Sequence, residues 1–200
     1  FDYQITGGSM TLISLPLITS STALSAVIGN QLTAGFMPST SGAIYSYLNN
    51  TGSWDVAWKD SISGNWLNTS SQPSTLTMEN DKAYWVFDPS NKKVTVVGLI
   101  SNTPRTKAIA AGWNFIGSSY PVATPVTASG LGACTAGFTP ATAGALYSDN
   151  AGSWDIAWKD TSGNWQNTSF QPSTLQLQPG KGYWFYEPAT PFTWNYPKAY

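Results

Sequence analysis

Apolar and polar positions alternate with a period of two along most of this chain. From Trp54 to Lys59 the apolar Trp54, Val56 and Trp58 interleave with Asp55, Ala57 and Lys59, and Trp154, Ile156 and Trp158 repeat the pattern. Side chains two apart share a face of a strand, so each segment predicts a half-buried strand whose tryptophans turn to the core. Tyr84-Trp85-Val86-Phe87 and Tyr183-Trp184-Phe185-Tyr186 are apolar on both faces and predict central or covered strands. Val94 to Val97 and Phe192 to Tyr196 predict a closing strand for each half. One segment, Thr22 to Ile28, has helical character, with Ser20, Ser21 or Thr22 as N-cap and Gly29 just past its end. Its counterpart, Val126 to Gly132, is glycine-rich and predicts a shorter helix or a turn.

These elements occur twice. Gly52-Ser53-Trp54-Asp55-Val56-Ala57-Trp58-Lys59-Asp60 returns as Gly152-Ser153-Trp154-Asp155-Ile156-Ala157-Trp158-Lys159-Asp160, about 100 residues later in a chain of 200. Gly35-Phe36 answers to Gly137-Phe138, Gly64-Asn65-Trp66 to Gly163-Asn164-Trp165, Gln72 to Leu76 to Gln171 to Leu175, and Tyr84-Trp85 to Tyr183-Trp184. A unit of this size is large enough to own a core. The expectation is an all-β chain with one short helix per repeat: two tandem homologous β-sandwich or barrel-like domains in series, residues 1–102 and 103–200. Ser101-Asn102-Thr103-Pro104-Arg105 is the linker, and so short a joint predicts a rod.

Composition narrows the partners. Charged residues make up 10% of the chain against roughly 25% in an ordinary soluble domain, while aromatics reach 14% and tryptophan alone counts ten. Such a surface presents Ser, Thr, Asn, Gln and rings, which suits an extracellular or cell-surface protein that is glycosylated, assembled, or both. With a net charge of −1 there is no basic stripe for phosphates, and nucleic acid is not an expected partner. Cys134 is the single cysteine, so no intrachain disulfide forms, and its bland reading is a small buried hydrophobe. The chain opens at Phe1 rather than Met, as a processed chain or a fragment does. The apolar run Met10 to Ile18 is interrupted by Pro16 and stops far short of the roughly 20 residues of a spanning helix, so no membrane span is expected.

Catalytic chemistry is hard to place. There is no histidine, which removes Ser-His and Cys-His nucleophile systems and histidine metal sites. Asp55 with Asp60, and Asp155 with Asp160, sit five apart on an extended segment, roughly 16 Å from each other and on opposite faces, which does not make a glycosidase pair. Asp60 and Asp160 precede Ser-Gly-Asn and predict Asx-type turns. Gln178-Pro179-Gly180-Lys181-Gly182-Tyr183 opens a strand rather than a helix and lacks the Ser/Thr of a phosphate loop. The chain is therefore expected to be no enzyme and to carry neither metal nor cofactor. Asn49, Asn68 and Asn167 head N-glycan acceptor triplets, with Asn68 and Asn167 equivalent across the repeat. Trp66, Trp165 and Trp194 lie beside polar residues and are candidate surface rings for sugar.

The segments Trp113-Asn114-Phe115-Ile116-Gly117, Ala23 to Ile28, the two Gly-Ser-Trp strands and Leu177-Gln178-Pro179-Gly180-Lys181-Gly182-Tyr183-Trp184 together resemble a widespread β-domain. It is found in tandem in bacterial and archaeal secreted and cell-surface proteins, filament and surface-array subunits included. The first copy departs from that pattern at Met10 and at Asn80-Asp81-Lys82-Ala83. The resemblance implies an architectural module and supplies no catalytic residues. The expected function is a self-assembling filament or surface-array subunit whose principal partner is itself. Phe1, Tyr3 and Ile5 alternate with polar residues as a strand donated to a neighbouring subunit would, or as an ordinary first strand of the first domain. If the first domain packs on the second through Thr106 to Ile109, a neighbouring subunit could reuse that geometry. The alternative is a carbohydrate-binding or adhesin domain pair, with covalent or bound glycans as partners.

Overall fold

The computed structural model of the chain describes residues 1–49, 51–150 and 152–198. The first half contains β1 (Asp2–Ile5), β2 (Met10–Ser14), α1 (Leu24–Val27), β3 (Ala43–Leu48), β4 (Ser53–Lys59), β5 (Trp66–Leu67), β6 (Ala83–Phe87) and β7 (Lys92–Thr95). The second contains β8 (Arg105–Ile109), β9 (Gly112–Gly117), β10 (Thr124–Pro125), β11 (Ala145–Asn150), β12 (Ser153–Lys159), β13 (Trp165–Asn167), β14 (Gln176–Leu177), β15 (Gly182–Glu187) and β16 (Phe192–Tyr196). Each half builds a five-stranded antiparallel sheet, in the order β2-β6-β3-β4-β5 and β9-β15-β11-β12-β13, and a two-stranded sheet, β1-β7 or β8-β16. Two tandem all-β domains result.

Each core fills the space between the two sheets of its domain. In the first, Tyr3, Ile5, Val94 and Val96 meet Ile13, Ile44, Ala57, Tyr84 and Val86, with Leu24, Val27 and Ile28 closing the gap. In the second, Ile109, Trp194 and Tyr196 meet Ile116, Leu146, Ala157, Tyr183 and Phe185, with Val126 and Leu131 in the helical position. Each such large side chain contributes roughly 1.5–3 kcal/mol by leaving water. The helix is shorter than its sequence suggests, with Ala23 as an N-cap that makes no side-chain bond. Two 3₁₀ turns, Val126–Ala128 and Leu131–Ala133, replace it in the second domain.

The large sheets are turned the other way from the sequence expectation. Ala57 and Ala157 face the cores, so Trp54, Val56 and Trp58 and their counterparts lie on the outer face of each sheet. There the register lines up Val56, Tyr45, Trp85 and Leu12 in one domain and Ile156, Tyr147, Trp184 and Phe115 in the other. Period two identifies the residues that share a face; it does not say which face the second sheet covers. Ala57 suffices on the core face because Ile44, Val86 and Tyr84 beside it supply the bulk.

The N-terminal segment is the ordinary first strand of the first domain. β1 pairs antiparallel with β7 from Asp2↔Thr95 to Ile5↔Lys92. Tyr3 and Ile5 are core residues, and the Tyr3 hydroxyl donates to the Ser14 carbonyl at 2.6 Å. Phe1 packs on the Tyr3 ring at 5.0 Å, and its ammonium donates to the Val96 carbonyl at 2.7 Å. In this state the strand is not available to a neighbour.

The two domains meet through equivalent residues on both sides. Ser14 N–H donates to the Gly180 carbonyl at 2.8 Å and Gly117 N–H to the Asp81 carbonyl at 3.2 Å, while Ile13 bridges Lys181 and Ile116 bridges Lys82. Ser14 corresponds to Gly117, and Gly180 to Asp81, so the contact is an internal pseudo-two-fold. Leu12, Ala83 and Phe115 form a small core across it, joined by Tyr47, Trp85 and Trp184. A self-complementary contact of this kind is closed. A neighbouring copy therefore has no vacant half of this contact to reuse. Thr106 to Ile109 belong to β8 and pair with β16 of their own domain; Arg105, Thr106 and Lys107 also line a cavity with Glu79, Asn80 and Asp81 across the junction, where Arg105 pairs with Asp81 at 3.2 Å.

Candidate functional site

Near the pseudo-two-fold, small residues let the outer faces of the two large sheets come together. Farther out the faces diverge, and the gap between them is lined by rings. One groove, a cavity of about 450 Å³, is bounded by Tyr47, Trp54, Trp113, Tyr147, Trp154 and Trp184. A second, of about 410 Å³, is bounded by Met10, Tyr45, Trp54, Val56 and Trp85. Met10, Tyr45, Trp54 and Trp85 are the repeat counterparts of Trp113, Tyr147, Trp154 and Trp184, so the duplication has copied the groove. Trp54 belongs to both.

The rings hold one another edge to face. Trp54 lies 5.7 Å from Phe115 and 5.8 Å from Trp184, each nearly perpendicular, and Tyr47 lies 4.9 Å from Trp184. Trp113 stacks against Tyr147 and Tyr186 at 5.0 Å each. Edge-to-face pairs at these separations add about 0.5–1.5 kcal/mol each beyond their burial, which fixes the walls before any ligand arrives. Trp54 and Trp154 nevertheless remain 42% exposed and Trp113 40%. Among the described residues no charged side chain lines either groove. Burial raises the Tyr45 and Tyr147 hydroxyls, so both are neutral at physiological pH.

The rings expected at the surface are elsewhere. Trp66 and Trp165 lie within the two cores, and Trp194 is buried with its indole N–H donating to the Ser129 carbonyl at 2.7 Å. None of the three presents a face to solvent, because a polar neighbour in sequence does not say which face of a strand the second sheet covers. Trp58 and Trp158, on the outer faces, are also buried. The Trp58 indole donates to the Asn68 carbonyl at 3.1 Å, and Trp158 sits beneath Phe170 at 5.6 Å.

The sequon asparagines take part in hydrogen bonds. Asn68 Oδ1 accepts the Ser70 and Gln72 N–H groups, and Asn167 Oδ1 accepts those of Ser169 and Gln171. Asn49 Nδ2 donates across the junction to Asn114 Oδ1 at 2.9 Å. Asp60 accepts the Ser63 hydroxyl and N–H, and Asp160 the Gln166 side-chain amide and the N–H groups of Asn164 and Ser162, the turn role their sequence suggests; these bonds lower both carboxyl groups. Among the described residues no group of three or more His, Cys, Asp or Glu is placed to hold a metal ion. Among the same residues no helix is long and apolar enough to cross a membrane.

A second apolar feature lies at the far end of the same strands. Phe36 is 73% exposed and its counterpart Phe138 79%. Gly35 N–H donates to the Lys59 carbonyl and Gly137 N–H to that of Lys159, both at 3.0 Å, which puts each phenylalanine beside the last residue of β4 or β12. Comparison of the chain with known protein families, curated proteins and solved structures finds no match.

Proposed function

We propose that this chain is a non-enzymatic extracellular structural protein that self-assembles into filaments or surface arrays. The observation that carries the reading is the set of exposed apolar features: two open aromatic grooves and a phenylalanine exposed at equivalent positions of both repeats, Phe36 and Phe138, on a chain with 10% charged residues. Apolar surface of this kind gains free energy by leaving water, and a net charge of −1 gives little electrostatic resistance to contact between copies. Electron microscopy of the purified chain without ligand tests it: regular fibres or sheets support the reading, and dispersed particles at every concentration and salt contradict it.

A second reading, a carbohydrate-binding domain pair, is favoured by the half-exposed Trp54, Trp113 and Trp154 rings at the grooves. Stacking on a sugar face alters the environment of an indole. Titration with soluble oligosaccharides, followed by tryptophan fluorescence, separates the two readings.

A further inference from the structure

We propose that the protruding phenylalanines are the occupants of the aromatic grooves, Phe36 and Phe138 of one copy docking into the grooves of the next. This inference rests on the self-assembly reading and names its contact. Trp54 is the second residue of β4 and Lys59 the last, so the groove and the phenylalanine of one domain stand about 16 Å apart along one strand. The same spacing separates Trp154 from Phe138 along β12. A domain therefore does not fill its own groove, while a second copy presents the missing part.

Number and chemistry agree as well. The chain has two grooves with equivalent walls and one pair of exposed phenylalanines at equivalent positions of the repeat; Phe170, also exposed, has Ser71 as its counterpart and lies over Trp158. The groove walls are aromatic edges and faces without a charged group, which suits a phenyl ring better than a sugar, whose hydroxyls need polar partners. The phenylalanines sit on fixed turns: a Cβ at Gly35 would lie 2.6 Å from the Thr40 carbonyl oxygen, and one at Gly137 2.3 Å from that of Thr142. The tight backbone at these turns sets where each phenylalanine projects, so docking has only the ring's rotamer left to order. Docked head to tail, with each copy giving its phenylalanines to one neighbour and its grooves to another, the association is heterologous and propagates, whereas a reciprocal exchange between two copies would close a dimer.

Two experiments on the whole chain decide it. Phe36→Ser with Phe138→Ser changes only exposed side chains, so circular dichroism should match the wild type, while the concentration for half-maximal assembly rises by about tenfold or more. Placing a photo-crosslinker by Phe138→p-benzoylphenylalanine, in a mixture of light and isotopically labelled copies, should join residue 138 of one copy to groove peptides of another. Assembly unchanged in the double serine variant, or intermolecular crosslinks confined to other surfaces, overturns the contact while leaving self-assembly standing. A wild-type chain that stays monomeric overturns both, and sugar-dependent fluorescence in that monomer would assign the grooves to carbohydrate.

Discussion

Ser14 occupies the place that a side chain on Gly117 would need: a Cβ built on Gly117 falls 2.0 Å from the Ser14 Cβ. The two residues are repeat counterparts facing each other across the pseudo-two-fold, and there is room for one side chain between them. Ala83 and Gly182 stand in the same relation, a Cβ on Gly182 falling 2.8 Å from that of Ala83. The copies have thus become complementary rather than identical, and the junction is fitted to one first domain against one second domain. Asp81 and Gly180 extend the asymmetry. Asp81 accepts the Ser119 hydroxyl and pairs with Arg105, whereas a Cβ on Gly180 would strike the Phe1 ring at 2.3 Å.

Gly117→Ala should destabilise the chain by roughly 1–3 kcal/mol, the usual penalty of overpacking a tight contact. Exchanging the pair, Ser14→Gly with Gly117→Ser, should recover part of that loss. The exchanged hydroxyl lies near the Lys82 carbonyl, 3.4 Å from the position of a Cβ on Gly117, as Ser14 Oγ now lies near that of Lys181. Denaturant titration of the three chains measures both effects, and an alanine variant as stable as wild type would remove the close contact from the account.

Asp88 and Glu187 should matter more than any exposed carboxylate. Both are buried, and each accepts a threonine N–H and hydroxyl from the loop after the helical position, Thr33 and Thr135. Asp88→Ala strands those donors and should cost roughly 1–3 kcal/mol. Asp55→Ala, on an intermediate surface position, should stay within about 0.5 kcal/mol by the same titration. Equal effects would contradict the assignment.

Cys134 should be inert in the folded chain. Burial pushes its thiol up to about 12, so almost no thiolate forms at pH 8. Its Sγ lies 2.5 Å from where a Cβ on Gly144 would stand, which leaves a reagent no approach. Alkylation followed by mass spectrometry should be slow in buffer and fast in denaturant; rapid labelling of the folded chain would contradict this packing.

Lys107 sets an alkaline dependence. Burial lowers its ammonium to about 8 and Lys82 acts in the same direction, against the opposing attraction of Asp81 and Glu79. In the unfolded chain the same group keeps its proton to about 10.4. Between these values the unfolded state binds more protons, so stability should rise as pH climbs from 8 towards 10. Lys107→Met should flatten that rise and increase stability at pH 7. Denaturation midpoints of both chains at pH 7, 8.5 and 10 check the sign, and parallel curves would contradict it.

The duplication, the all-β class and the weak helix of the second half were legible because turn residues and period-two patterns are local signals. The direction each face points was not. Trp54-Val56-Trp58 has the composition of a core face, and only the position of β1 and β7 across the other side makes Ala57 the buried residue. That inversion moved the candidate rings from Trp66 and Trp165 to Trp54, Trp113 and Trp154. The grooves themselves form between two sheets far apart in sequence, and no local pattern encodes the angle at which those sheets diverge. A signal was nonetheless present: Gly117 against Ser14, and Gly182 against Ala83, are departures between otherwise similar copies, placed where the copies touch.

Sedimentation velocity of the wild-type chain across a wide concentration range tests self-assembly most directly. The account expects a sedimentation coefficient that grows with concentration into a distribution of large, regular species, insensitive to moderate salt because the contacts are apolar. A single species of 21.4 kDa at every concentration would contradict it.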